Sequence, residues 1–219
     1  MPSAVAAFLV ILTAAFWLQN PTARGFSGEA PLVSVSGPDR YTDVVADSLI
    51  LDEAAPIEAL LTDLDAAPPD WAAIYGTDGG GHDERLFALN RQRDERRRPA
   101  ERLDRRVTFF WPGEISGLDG AGEGFRIAIG PKIIPTRWGL VRFKPENLPG
   151  NLLAIPDSAQ RERLRADVVR GKRIEVHVAM TGRLVQEESI IYDFAHEEPG
   201  RGMVMPVVWV EEIRYVMTR

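Results

Sequence analysis

Six residues between positions 126 and 144 carry the chemistry that this chain offers most openly. Arg126, Lys132, Arg137, Arg142 and Lys144 supply five cations, no acid interrupts residues 125–144, and Trp138 stands among them. An aromatic face beside cations can hold an anionic ligand, or the stacked bases of single-stranded nucleic acid. Period-two alternation in a strand over 138–144 points Val141 and Phe143 inward and leaves Trp138, Leu140, Arg142 and Lys144 outward. By the same rule Arg126 faces out from the strand before it. The opposing expectation is that Trp138 packs beneath helices and the cations solvate an exposed sheet.

Other chemistry is sparser. Residues 186–202 surround His196 with Glu187, Glu188, Asp193, Glu197 and Glu198. Such oxygen ligands suit a divalent cation, and with it a metal-assisted hydrolase. The H-E-x-x-H spacing is missing, so no metal ligand is assigned. Ser189, Asp193 and His196 fall close together without a G-x-S-x-G elbow, and no catalytic residue is assigned either. His177 reads as a surface histidine turned out from a strand. The glycines at 79–81 lack the preceding strand and the following Gly-Lys-Ser/Thr of a phosphate loop, and read as a flexible loop. With no cysteine in 219 residues, disulfides, thiolate metal sites, iron–sulfur clusters and a thiol nucleophile are excluded, and no cofactor is implied.

The elements that must position these residues are legible from pattern. Residues 4–18 are uncharged and apolar and the first charge is Arg24, which predicts a signal peptide or membrane anchor and an exported protein, periplasmic or secreted. Residues 25–38 read as a linker or a first short strand carrying Leu32, Val33 and Val35. Ile57, Leu60, Leu61 and Leu64 recur at helical spacing behind Pro56, and Pro68-Pro69 stop the helix. Asp70 caps a short helix with Trp71 and Ile74, ended by Gly76. A further helix covers 83–98. The arginines between 85 and 106 alternate with acids, as on a solvated face with local ion pairs, or pair with the acidic segment 39–70.

From Val107 the period changes from helical to extended. Strands are predicted over 107–111, at Phe125, Ile127 and Ile129, and over 138–144. Asp157 and Gln160 open a helix with Leu164 and Val168 on one face. Val176, Val178 and Met180 then alternate with Glu175, His177 and Ala179, and further strands cover 189–194 and 207–216. Three strands, a helix and two strands, with a long excursion before the last, resemble the OB-fold across residues 107–219; the pieces 151–155 and 186–203 exceed a minimal version.

The expectation is therefore an α+β protein, with a leader and linker (1–30), a mainly helical N-terminal region (31–106) packed on an OB-like antiparallel β-barrel (107–219). The net charge of −6 with 26% charged residues is ordinary, so composition selects no class of polymer. The expected function is noncatalytic binding of an anionic ligand or an envelope partner protein on the outer face of the second and third strands. Single-stranded nucleic-acid binding, a metal-assisted hydrolase and a structural subunit of an envelope complex are the alternatives. A membrane is reached, if at all, through the N-terminal segment.

Overall fold

Val107 and Phe109 on one strand, and Val176, Val178 and Met180 on another, face the same interior, and that period of two lays their side chains inside a ring of strands. In this computed structural model, residues 26–45, 47–76, 80–96, 103–120, 122–196, 198 and 200–218 are described. The apolar leader lies outside them. In chain order the elements are β1 (Glu29–Val35), a 3-10 turn (Pro38–Val44), β2 (Leu49–Ile50), α1 (Ala54–Asp65), α2 (Trp71–Tyr75) and α3 (His82–Glu95). Then follow β3 (Arg106–Leu118), β4 (Phe125–Ile129), β5 (Ile134–Thr136), β6 (Gly139–Val141), β7 (Lys144–Glu146) and β8 (Leu153–Ile155). The chain ends through α4 (Ser158–Val169), β9 (Glu175–Leu184), β10 (Ile190–Phe194) and β11 (Gly202–Thr218).

Six of the strands close on themselves in the order β1-β8-β4-β3-β9-β11-β1. β1 runs parallel to both of its neighbours, and the other neighbours in the ring are antiparallel. Closure leaves these strands no open edge. The fold is thus a mixed α+β structure, a closed six-stranded barrel with extra strands and, among the described residues, four helices. β1 reaches the ring from ahead of the helices, where Leu32 pairs with Tyr215 and the Tyr215 hydroxyl donates to the Gly28 carbonyl at 2.6 Å.

The local signals fall where sequence places them. Asp70 accepts from the Ala73 amide at 3.0 Å, and Asp157 accepts from the Gln160 amide at 2.7 Å. Ile57, Leu60 and Leu61 are buried. Arg126 is exposed between buried Phe125 and Ile127, and Phe143 is buried, stacked 4.7 Å from Phe109.

The third barrel strand is a correction. It is β8, inside the piece that exceeded a minimal pattern, and residues 138–144 instead divide into β6 and β7. The reason is a turn. Thr136 Oγ1 accepts from the Trp138 amide at 3.1 Å and donates to the Gly139 carbonyl at 2.9 Å, and Gly139 takes a φ of +120°. A side chain there would also meet the Gly202 carbonyl oxygen at 2.4 Å. Beyond the turn β6 is covered on both faces. Val141 joins the main core, and Leu140 joins a second apolar cluster with Ala195, Met203 and Met205. Trp138 and Leu140 are therefore buried rather than outward; alternation reads faces only where one of them is wet.

β10 flanks the first half of β11, and its far edge is closed by a side chain. Asn90 on α3 donates to the Tyr192 carbonyl and accepts from the Tyr192 amide, both at 2.9 Å, as a neighbouring strand would. Asn90→Ala leaves both groups without these partners and should cost about 1–3 kcal/mol by urea denaturation. The isosteric Asn90→Leu should do no better.

Candidate functional site

Register places Thr108, Phe110, Pro112 and Glu114 of β3 beside Thr181, Ala179, His177 and Glu175 of β9 on the outside of the barrel. The middle of this face is uncharged, and burial of apolar and hydroxyl groups requires a cover. Residues 37–45 and 47–53 supply it as a strap. Ser48 Oγ lies 2.7 Å from Thr108 Oγ1, which lies 2.6 Å from Thr181 Oγ1, so the buried hydroxyls satisfy one another. The Leu51 amide donates to the Thr108 carbonyl at 2.8 Å.

Tyr41, in the 3-10 turn, is the centre of the strap's contact. Its ring meets Phe110 edge-on at 4.9 Å and lies flat on the His177 imidazole at 4.3 Å and 8°. Its hydroxyl donates to Asp52, whose other carboxylate oxygen receives Lys132 Nζ at 2.6 Å. Burial holds the His177 imidazole below the ordinary histidine range, and Lys132 adds to this; Asp52 and Glu175 oppose it. His177 is accordingly neutral at neutral pH.

Two cavities flank the stacked rings. One of about 400 Å³ is lined by Glu114, Ala128, Ile129, Arg173, Glu175 and His177, among others. The other, of about 330 Å³, is lined by Tyr41, Thr42, Ile50, Asp52, Glu53 and Pro56. Arg173 Nε sits 2.9 Å from Glu114 and 3.8 Å from Glu175 across the first cavity. Chemically the pair of cavities offers carboxylates, an aromatic ring and a neutral imidazole beside apolar walls.

The six residues singled out by sequence do not converge on one groove. Arg126 faces solvent with its guanidinium on the Leu118 carbonyl at 3.0 and 3.2 Å. Lys132 is held by Asp52. Arg137 binds Glu58 through its backbone amide at 2.8 Å and its side chain at 3.0 Å. Trp138 is fully buried, with its carbonyl accepting from Trp71 Nε1 at 2.7 Å. Arg142 is half-buried, with Nη2 3.2 Å from Met205 Sδ. Lys144 pairs with Glu146 at 2.9 Å, and that hydrogen bond raises its ammonium above the usual lysine range. For Lys132, Arg137 and Lys144 the acids missing from 125–144 thus arrive from elsewhere in the chain.

His177 turns outward as its alternation predicts, but its partners Tyr41 and Asp52 carry no local signal. The usable hint was Phe110 and Ala179, apolar at outward positions of strands whose inner positions are also apolar, which implies a cover on both sides. In the 186–202 segment, which contains β10, Glu198 pairs with Arg201 at 2.7 Å and Glu188 lies 4.0 Å from Lys144. Among the described residues, no group of three or more His, Asp or Glu is placed to hold a metal ion, and no helix is long and apolar enough to cross a membrane. No protein-family model, curated protein or solved structure matches this chain.

Proposed function

We propose that this protein is an exported, noncatalytic binding module whose site is the cleft beside His177, and whose ligand is a basic segment of an envelope partner protein. The observation that carries the reading is the charge of the paired cavities. The larger cavity sets Glu114 and Glu175 against Arg173, and the smaller sets Asp52 and Glu53 against Lys132, so each is net acidic. The apolar lining of the larger cavity, Pro112, Ala128 and Ile129, accommodates the methylene stem of a lysine or arginine whose head meets the carboxylates. Export rests on the apolar leader at 4–18.

The scaffold, on this reading, is an OB-like barrel with a helical N-terminal part packed on it. Support comes from the order β3, β4, β8, α4, β9, β11, three strands, a helix and two strands, with β1 inserted between β8 and β11 where a five-stranded version is partly open. The Asp65–Tyr192 and Glu58–Arg137 contacts support the packing of α1.

Calorimetry with hexalysine tests the assignment. The double substitution Glu114→Gln/Glu175→Gln should weaken binding roughly three- to tenfold, since exposed ion pairs contribute up to about 1 kcal/mol each. Added salt should weaken the wild-type complex and have less effect on the variant. Equal affinity of the two proteins would remove the cleft from consideration.

A further inference from the structure

The strap lies across β3, β9 and β11. Within its 3-10 turn the Arg40 amide reaches the Gly37 carbonyl only at 3.4 Å, and the Val45 amide reaches the Thr42 carbonyl at 3.2 Å. Its hold on the barrel is lateral. Arg214 Nη1 donates to the Val44 carbonyl at 2.7 Å, Leu51 bonds to Thr108, and Tyr41 lies on His177. His177 lines the larger cavity and Tyr41 the smaller, so each ring of the stacked pair faces one of them.

We propose that the strap is an acid-released clasp: protonation of His177 parts its stack with Tyr41, frees the 3-10 turn and opens the two cavities into one cleft. The chemistry lies in what surrounds the ring. From the strap, the Asp52 carboxylate is already engaged by the Tyr41 hydroxyl and by Lys132. From β3 and β9, Glu114 and Glu175 face Arg173. From β11, Arg214 is turned to Glu212 at 2.6 Å and to Val44. A proton on His177 therefore meets carboxylates that already have cationic partners, with Lys132 and Arg173 nearby and its ring covered by Tyr41. Opening gives the imidazolium water.

Linkage fixes the direction. Burial lowers the imidazole pKa in the clasped state, so that state binds the proton less readily than the open one. Clasp stability is complete above the ordinary histidine value of about 6.5 and is lost as pH falls from there through the lowered value. This behaviour belongs to the free protein and stands whatever occupies the cleft.

Amide hydrogen exchange on the full chain, corrected for the intrinsic pH dependence of exchange, tests it. Protection of the Val45 and Leu51 amides should fall several-fold from about pH 7.5 to about pH 5.5, while β9 amides hold theirs. His177→Phe keeps a ring to stack and cannot titrate, so its strap protection should stay level over that range. Should that variant fail to fold, His177→Gln is read the same way. Constant strap protection in the wild type overturns the proposal. So does the same loss in the variants, or simultaneous exchange of strap and β9, which would signify global unfolding.

Discussion

Trp138→Ala should lower stability by about 3–5 kcal/mol, the cost of emptying a large buried aromatic site. The indole is fully buried in the main core, and the adjoining carbonyl receives the Trp71 Nε1 hydrogen bond. Truncation removes the packing on one side of the turn at 136–139, so β6 and the seat of Trp71 loosen together. Urea denaturation reads the loss directly. A change below about 1 kcal/mol would mean that the ring lies at the surface, where scattered apolar side chains contribute little. The effect is on folding, and binding of a polyanion by the folded variant should be unaltered.

Gly182→Ala should cost about 3 kcal/mol or more, through collision rather than loss of contact. Gly182 lies opposite Val210, where β11 shifts register against β9 between Val210 and Glu212. The bulge brings the β11 backbone over the glycine so closely that an added Cβ would stand 1.9 Å from the Trp209 carbonyl oxygen and 2.8 Å from its carbon. Backbone on the longest strand of the barrel cannot swing aside as a side-chain tip can. Gly120→Ala is the control. Nothing lies within 4 Å of its added Cβ, and the change should stay within about 0.5 kcal/mol. Thermal unfolding of the pair separates a steric requirement at the bulge from a general cost of replacing glycine.

What was legible in the sequence is what repeats locally. Phe125 and Ile127 against Arg126, Val176, Val178 and Met180 along one strand, the Asp157 cap, and Ile57, Leu60 and Leu61 on one helical face each declare themselves within a few residues. What was not legible depends on partners far away in the chain. β8 is three residues long and has no period to read, yet it completes the ring with β1. Trp138 and Leu140 looked outward because alternation presumes one wet face, and β6 has none. The basic stretch looked unopposed because Asp52 and Glu58, which pair with Lys132 and Arg137, lie on the other side of the Arg-rich segment. For the candidate site, the direction of His177 was readable and its cover was not, since Tyr41 comes from the strap and His177 from β9.

Those corrections move the candidate surface from 126–144 to the cleft beside His177, and the two locations answer to opposite charges. Backbone chemical-shift mapping with hexalysine and with hexaglutamate, at low salt, compares them in one protein. The cleft reading predicts that hexalysine shifts the amides of Glu114, Arg173, Glu175 and His177 and that hexaglutamate leaves them in place. Shifts produced by hexaglutamate at Arg126, Arg142 and Lys144, with the cleft unmoved by hexalysine, would contradict it.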